Sequence, residues 1–181
     1  MPEDFASRFQ RRMHINEREK GNSMTIRNAA KAIIVHEDKV LLVKYRNRAG
    51  ETCYTIPGGG QNCLETMEEA IARECLEETG YQVAVSDFLA LYEEIIEDGA
   101  FQEKHPAYAH KVFHIFLCHL KSDVQQSPAE PDAGQIGCEW VDIQLAGSLN
   151  LYPLALREGL SELLSGAGPL FLGTRKLPLP Q

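Results

Sequence analysis

The 181-residue chain has no CxxC pair, no internal repeat, no apolar run of membrane-spanning length and no excess of basic side chains. Each absence removes a class of protein. Five cysteines at 53, 63, 75, 118 and 138 form an odd, scattered set. They read as free thiols of a reducing compartment, which excludes a disulfide framework or a structural zinc site. Without a stretch of about 18 apolar residues, and with charge throughout the N-terminal region, the reading is a soluble, cytoplasmic protein that enters no membrane. Lysine and arginine number 18 against 26 aspartates and glutamates, a net charge of −8. No nucleic acid partner is expected from so acidic a surface. A polyanionic substrate would have to be held by metal and a few local cations.

What is present is ordinary globular composition, 44% hydrophobic and 24% charged, enough for one domain with a substantial core. Residues 1–23 are polar, with neither strand alternation nor a core stripe, and read as an extension. The globular pattern covers 24–165. Residues 166–181 carry glycine and proline and read as a tail without regular structure.

Along the domain, 29–36 and 40–46 are β-rich runs joined by a short hairpin turn at 37–39. Residues 52–56 predict a short strand leading into a glycine loop. Two strands are expected at 82–86 and 88–97, then a loop over 99–109 in which Phe101, Pro106 and Tyr108 either stack on a base or pin the loop down. Residues 110–120 predict an interior strand, apolar on both faces. His110, His114 and His119 do not share one face of it and read as structural. A loop over 121–137 precedes a short strand at 138–141, and 151–164 has helical periodicity with Pro153 in the first turn.

The stretch from Pro57 to Tyr81 concentrates glycines, acids and one arginine. Pro57 fixes its own φ, and the three glycines after it permit backbone closed to residues with a Cβ. From Thr66 only helix formers follow until Gly80, which is placed to end the helix in a left-handed cap. On that helix Met67, Ala70, Ile71, Glu74 and Glu78 form one stripe, flanked by Cys75 and Glu77. The stripe starts apolar and ends acidic. An apolar stripe faces the core, so Glu74 and Glu78 turn toward the protein body, where clustered carboxylates need a cation. Arg73 alone is too little, and hard oxygen donors select Mg²⁺ or Mn²⁺. The competing reading of Glu74, Glu77 and Glu78 is a solvated acidic face; Glu69 and Arg73, spaced i, i+4 on the opposite side, are expected to form such an exposed pair.

The spacing Gly59, five residues, Glu65, seven residues, then Arg73-Glu74-Cys75-Leu76-Glu77-Glu78-Thr79-Gly80-Tyr81 resembles the Nudix box of the Nudix (MutT-type) hydrolase superfamily. Every polar and glycine position matches, while Cys75 and Tyr81 stand where aliphatic residues are usual. The resemblance implies an α/β fold, an α/β/α sandwich with a mixed β-sheet and a catalytic loop-helix-loop. It further implies Glu74, Glu77, Glu78 and the Gly58 carbonyl as metal ligands, Glu77 and Glu78 in catalysis, and Glu65 and Arg73 as orienting groups. Basic residues near Lys44 and Arg46 reach substrate phosphates in similar proteins, although both also read as plain strand surface. Glu130 or Asp132 is the candidate loop base, and Glu139 reads as structural.

The implied activity is Mg²⁺-dependent (or Mn²⁺-dependent) hydrolysis of a phosphoanhydride in a nucleoside diphosphate linked to another moiety, in a protein that is often a homodimer. ADP-ribose, nucleotide sugars and nucleoside triphosphates all fall in that class. A proline past the box that marks many ADP-ribose hydrolases is absent, Ile95 and Ile96 standing there. The alternative is a nucleotide-sensing domain without turnover, against which stands the retention of Glu74, Glu77 and Glu78.

Overall fold

The computed structural model describes residues 24–47, 49–128 and 134–178. The extension at 1–23 and the base candidates Glu130 and Asp132 lie outside the described residues. Strands β1 (Ile26–His36) and β2 (Lys39–Arg46) form the expected hairpin. Glu37 and Asp38 both take positive φ, 47° and 61°, the backbone that a two-residue hairpin turn requires. The hairpin pairs only at its closed end, Val35 with Val40 and His36 with Lys39. Its arms then part, which curls the sheet. β1 runs parallel to β5 (His110–Leu120), which pairs with β4 (Val83–Ile96). β2 pairs with β3 (Thr52–Thr55) and with β6 (Gln135–Asp142). β7 (Leu151–Tyr152) closes one edge beside β3, and β8 (Phe171–Leu177) closes the other beside β4.

Alternation along β1 separates two cores. Ala30, Ala32 and Ile34 face helix α1 (Met67–Thr79) and its buried Ala70, Ile71 and Cys75. Ala29 and Ile33 face the other way, toward Leu156, Leu160 and Leu163 of helix α4 (Leu154–Leu164). A sheet with a helix on each side is the expected α/β/α sandwich. Side chains such as Ile33, Ile34 and Ile71, each fully buried, contribute about 1.5–3 kcal/mol apiece.

Four local expectations need correction. The two strands expected at 82–86 and 88–97 are the single strand β4, because register shifts at Val85/Asp87 and Phe88/Ala90 absorb the polar Ser86-Asp87 step without breaking the ladder. The segment 99–109 is not a plain loop. Helix α2 (Gly99–Lys104) starts where the Asp98 carboxylate accepts from Phe101 N at 2.6 Å, and a 3₁₀ turn covers Pro106–Tyr108. The helix expected from 151 starts at Leu154, since Leu151 and Tyr152 pair with Tyr54 and Thr55. The tail is not irregular: β8 runs parallel to β4 with Leu177 buried. Its backbone found a free sheet edge, which no local pattern announces. A short helix α3 (Ile143–Ala146) follows β6. No described helix is long and apolar enough to cross a membrane.

Candidate active site

The glycine loop is an extra rung on β1. Ala30 N donates to Gly59 O and Ala32 N to Pro57 O, both at 2.9 Å, so the loop borrows the rigidity of an interior strand. Gly58 sits at φ 117°, and a Cβ there would lie 2.2 Å from Ala30 O. Only glycine fits. At Gly59 the same added atom would meet the Glu74 carboxylate at 2.3–2.6 Å, and at Gly60 the Arg27 guanidinium at 2.1 Å.

Helix α1 is fixed at both ends. Thr66 and Glu69 form a reciprocal capping box, so Glu69 holds the N-terminus and does not pair with Arg73 as the i, i+4 spacing suggested. Gly80 closes the other end at φ 75°. There Gln135 Nε2 donates to Glu78 O at 2.6 Å, and Gln125 Nε2 to Thr79 O at 2.9 Å. The last helical carbonyls, which lack partners within the helix, are thereby satisfied.

The helix acids lie at the glycine loop and around Arg73. Glu78 is 3% exposed and its Oε2 accepts from Gly58 N at 2.7 Å, while Tyr45 OH lies 3.3 Å from Oε1. Arg73 Nη1 bridges Glu74 at 2.6 Å and Glu77 at 3.2 Å. Its Nε and Nη2 grip both oxygens of Glu65 at 2.8 and 2.9 Å, and Nη2 also donates to Gly60 O at 3.0 Å. The Arg73 hydrogen bonds hold the Glu65 carboxyl down at about 2, and Glu65 in turn raises the arginine's pKa. Burial pushes the Cys75 thiol well up, so it stays neutral beneath the acids.

Sequence reasoning missed Lys31, whose Nζ donates to Gly58 O and, at 3.4 Å, to Ile56 O. Its one signal was a lysine inside the apolar run AAKAIIV. Tyr45 was missed between two basic neighbours. Lys44 pairs with Glu139 at 3.1 Å, and Arg46 donates to Gly50 O at 3.0 Å. His110 meets Glu93 at 2.8 Å, His119 meets Ser86 at 3.0 Å and His114 meets Asn28 at 3.4 Å.

Among the described residues, no three acidic, histidine or cysteine side chains converge on one point as ion ligands. The chain's own cations, Arg73 between Glu74 and Glu77 and Lys31 at the Gly58 carbonyl, hold these groups instead. The donor set is nonetheless all hard oxygen, and Gly59 leaves the Glu74 carboxylate room against the backbone. Its chemistry fits Mg²⁺ or Mn²⁺.

An ADP-ribose pyrophosphatase of Methanocaldococcus jannaschii is 42% identical over 64 residues, 35% of this chain and 38% of that protein. The match thus spans well under half of that relative. A NUDIX hydrolase from Nitrosomonas europaea superposes with a TM-score of 0.62 at 19% identity, over 79% of this chain and 91% of the other. A UDP-X diphosphatase gives 0.60 at 21% identity, over 91% and 75%. At such identities the likeness to the solved structures is one of fold. The NUDIX domain model matches residues 25–162, and with the glycine loop and acidic helix already in place, the chain belongs to the NUDIX domain family.

Proposed function

We propose that this chain is a Mg²⁺-dependent (or Mn²⁺-dependent) pyrophosphohydrolase of a nucleoside diphosphate linked to a second group. The observation that carries the reading is the inward turn of Glu78 at 3% exposure, against the backbone of a glycine loop that also abuts Glu74. Surface acids are not held this way. Glu74, Glu77, Glu78 and the Gly58 carbonyl would hold the ion. When bound, the ion neutralises phosphate oxygens and makes a water easier to deprotonate.

The chain's residues do the rest. Water attacks one phosphorus, a new P–O bond forms, the bridging P–O bond breaks, and the departing phosphate takes the electron pair. A carboxylate takes the water's proton, worth about 10²- to 10⁴-fold. Glu77, Glu78, Glu130 and Asp132 are the candidates. Support for the loop acids comes from its described flanks: Gln126 N donates to Gly80 O and Gln135 to Glu78 O, so both ends are tied to the end of α1. Arg73, locked by Glu65, positions Glu74 and Glu77. Lys44 and Arg46 would exchange Glu139 and the Gly50 carbonyl for substrate phosphate.

The ADP-ribose pyrophosphatase relative supports a nucleoside diphosphosugar as the substrate class. The test is product release from ADP-ribose, nucleotide sugars, dinucleoside polyphosphates and nucleoside triphosphates, with Mg²⁺ and with chelator. Chelator-sensitive cleavage giving two phosphorylated products is expected. Absence of turnover on the whole panel, with nucleotide binding retained, would establish the sensing alternative.

A further inference from the structure

Helix α1 covers only part of its side of the sheet. Ala30, Ala32 and Ile34 of β1, Val83 of β4 and Cys118 of β5 are buried in the core beneath it. Toward the other end of β4 and β5 the same side is open. Direct register partners in a ladder project to one face. Ala30 pairs with His114 and Ala32 with Phe116, which places those two on the α1 side. Phe88 pairs with Phe116, Leu91 with His114, Glu93 with Val112 and Ile95 with His110, so all of these share it. β8 extends the side through Phe171 beside Leu91 and Thr174 beside Glu93.

Leu91, Ile95 and Val112 join neither core. They are only partly buried, and Phe88 and Phe171 are 44% and 53% exposed. The opposite side of the same strands is closed, with Tyr92, Ile96 and Phe113 at 4% exposure or less. A sheet with one face in water alternates apolar with polar side chains. β4 and β5 do not alternate here, and the polar groups on the open side are occupied among themselves. Glu93 meets His110 at 2.8 Å and Thr174 at 2.5 Å, and His114 meets Asn28 at 3.4 Å. An apolar patch whose polar neighbours are already paired is suited to a cover.

The chain carries such a cover in its own N-terminal segment. Residues 1–23, outside the described residues, join the domain at Met24. β1 begins at Ile26, which is exposed and pairs with His110, and so stands on the open side. The junction delivers the segment to the rim of the patch. Phe5, Phe9 and Met13 recur every four residues, a row too narrow to build a core but matched to a shallow sheet face. Residues 5–16 include Arg8, Arg11 and Arg12 and no acid, in a chain of net charge −8, so the domain attracts them. Reach is ample. The 13 residues from Met13 to Ile26 extend up to about 40 Å, whereas β1 to β8 is three strand spacings, about 14 Å.

We propose that residues 5–13 dock on the open side of β5, β4 and β8 of their own chain, with Phe5, Phe9 and Met13 against Val112, Leu91 and Phe171. The segment then forms a second cover beside α1. This assignment is independent of the proposed hydrolase activity.

The test uses the full chain as wild type, Phe5→Ser/Phe9→Ser, Phe171→Ser and the triple variant. Phe171 lies in neither core, so its truncation leaves the domain folded. Thermal unfolding, binding of an apolar fluorescent dye and sedimentation velocity read the result. Phe5→Ser/Phe9→Ser is expected to lower Tm by about 3–6 °C and to bind more dye than wild type. Phe171→Ser should lower Tm as well, and the triple variant should fall by less than the two shifts together, because side chains in contact do not act additively. An unshifted Tm in Phe5→Ser/Phe9→Ser overturns the proposal, as does dye binding by wild type equal to that of this variant, or full additivity in the triple variant. A wild-type dimer that Phe5→Ser/Phe9→Ser dissociates overturns docking within one chain and assigns the face to a second copy.

Discussion

Arg73 and Glu65 meet fork to fork, Nε on Oε1 at 2.8 Å and Nη2 on Oε2 at 2.9 Å, across the joint between the glycine loop and helix α1. The same guanidinium reaches Gly60 O, Glu74 and Glu77. It ties the loop to the acids through one rigid plane, which a lysine could not do. Glu65→Gln should lower kcat by tenfold or so and stability by about 1 kcal/mol, the modest figure for a partly exposed pair. Steady-state kinetics and urea denaturation measure both, and an unchanged kcat would remove Glu65 from the positioning role.

The pair also sets an acid limit. The Glu65 pKa is lowered from 4.5 to about 2 in the fold, so the folded state favours its charged form. The stabilisation is complete above the ordinary carboxylate range and is lost as pH falls from 4.5 toward 2. Urea midpoints of wild type and Glu65→Gln should therefore converge below pH 4.5 and run parallel above it.

The neighbouring glycines should respond differently to alanine. At Gly58 the new methyl meets backbone at a φ that L residues avoid; strain alone costs about 1–3 kcal/mol, and the loop must leave β1. At Gly59 the obstacle is the far end of the Glu74 side chain, which can swing aside. Gly58→Ala should lower Tm visibly, while Gly59→Ala should keep Tm and lose turnover. Equal losses of Tm would contradict this division.

Glu78→Gln should reduce kcat by about 10²- to 10⁴-fold with the circular dichroism spectrum intact, because the amide oxygen can still accept from Gly58 N. Manganese binding followed by electron paramagnetic resonance should weaken in parallel. Wild-type turnover in this variant would show that the helix acids are not ligands.

A second buried cluster lies away from α1. Glu94 is fully buried, pairs with Lys111 Nζ at 2.5 Å and accepts from Tyr152 OH, while the Tyr92 hydroxyl beside it has no partner among the described residues. Burial and the nearby Glu94 charge raise the Tyr92 pKa to about 12. Lys111→Met strands the carboxylate and should cost about 3–5 kcal/mol; the double variant Glu94→Leu/Lys111→Met should be the more stable of the two. A double-mutant cycle by urea denaturation decides it.

The local parts of this fold were legible in the sequence. Helix α1, its Gly80 cap, the hairpin and the inward face of Glu74 and Glu78 follow from side-chain period and backbone permission, which act within a few residues. The expected exposed pairing of Glu69 failed because Thr66, three residues away, offered a capping box that the i, i+4 rule does not see. Lys31 at the Gly58 carbonyl, Arg27 against Gly60, and β8 on the edge of β4 join positions far apart in the chain. Which of many polar groups meets which was decided by the register of β1 against the loop, and register is a property of the packed sheet. The sequence alone determined that acids and glycines sit together; tertiary structure decided which cations hold them, because a buried carboxylate takes whichever partner the sheet delivers within hydrogen-bond reach.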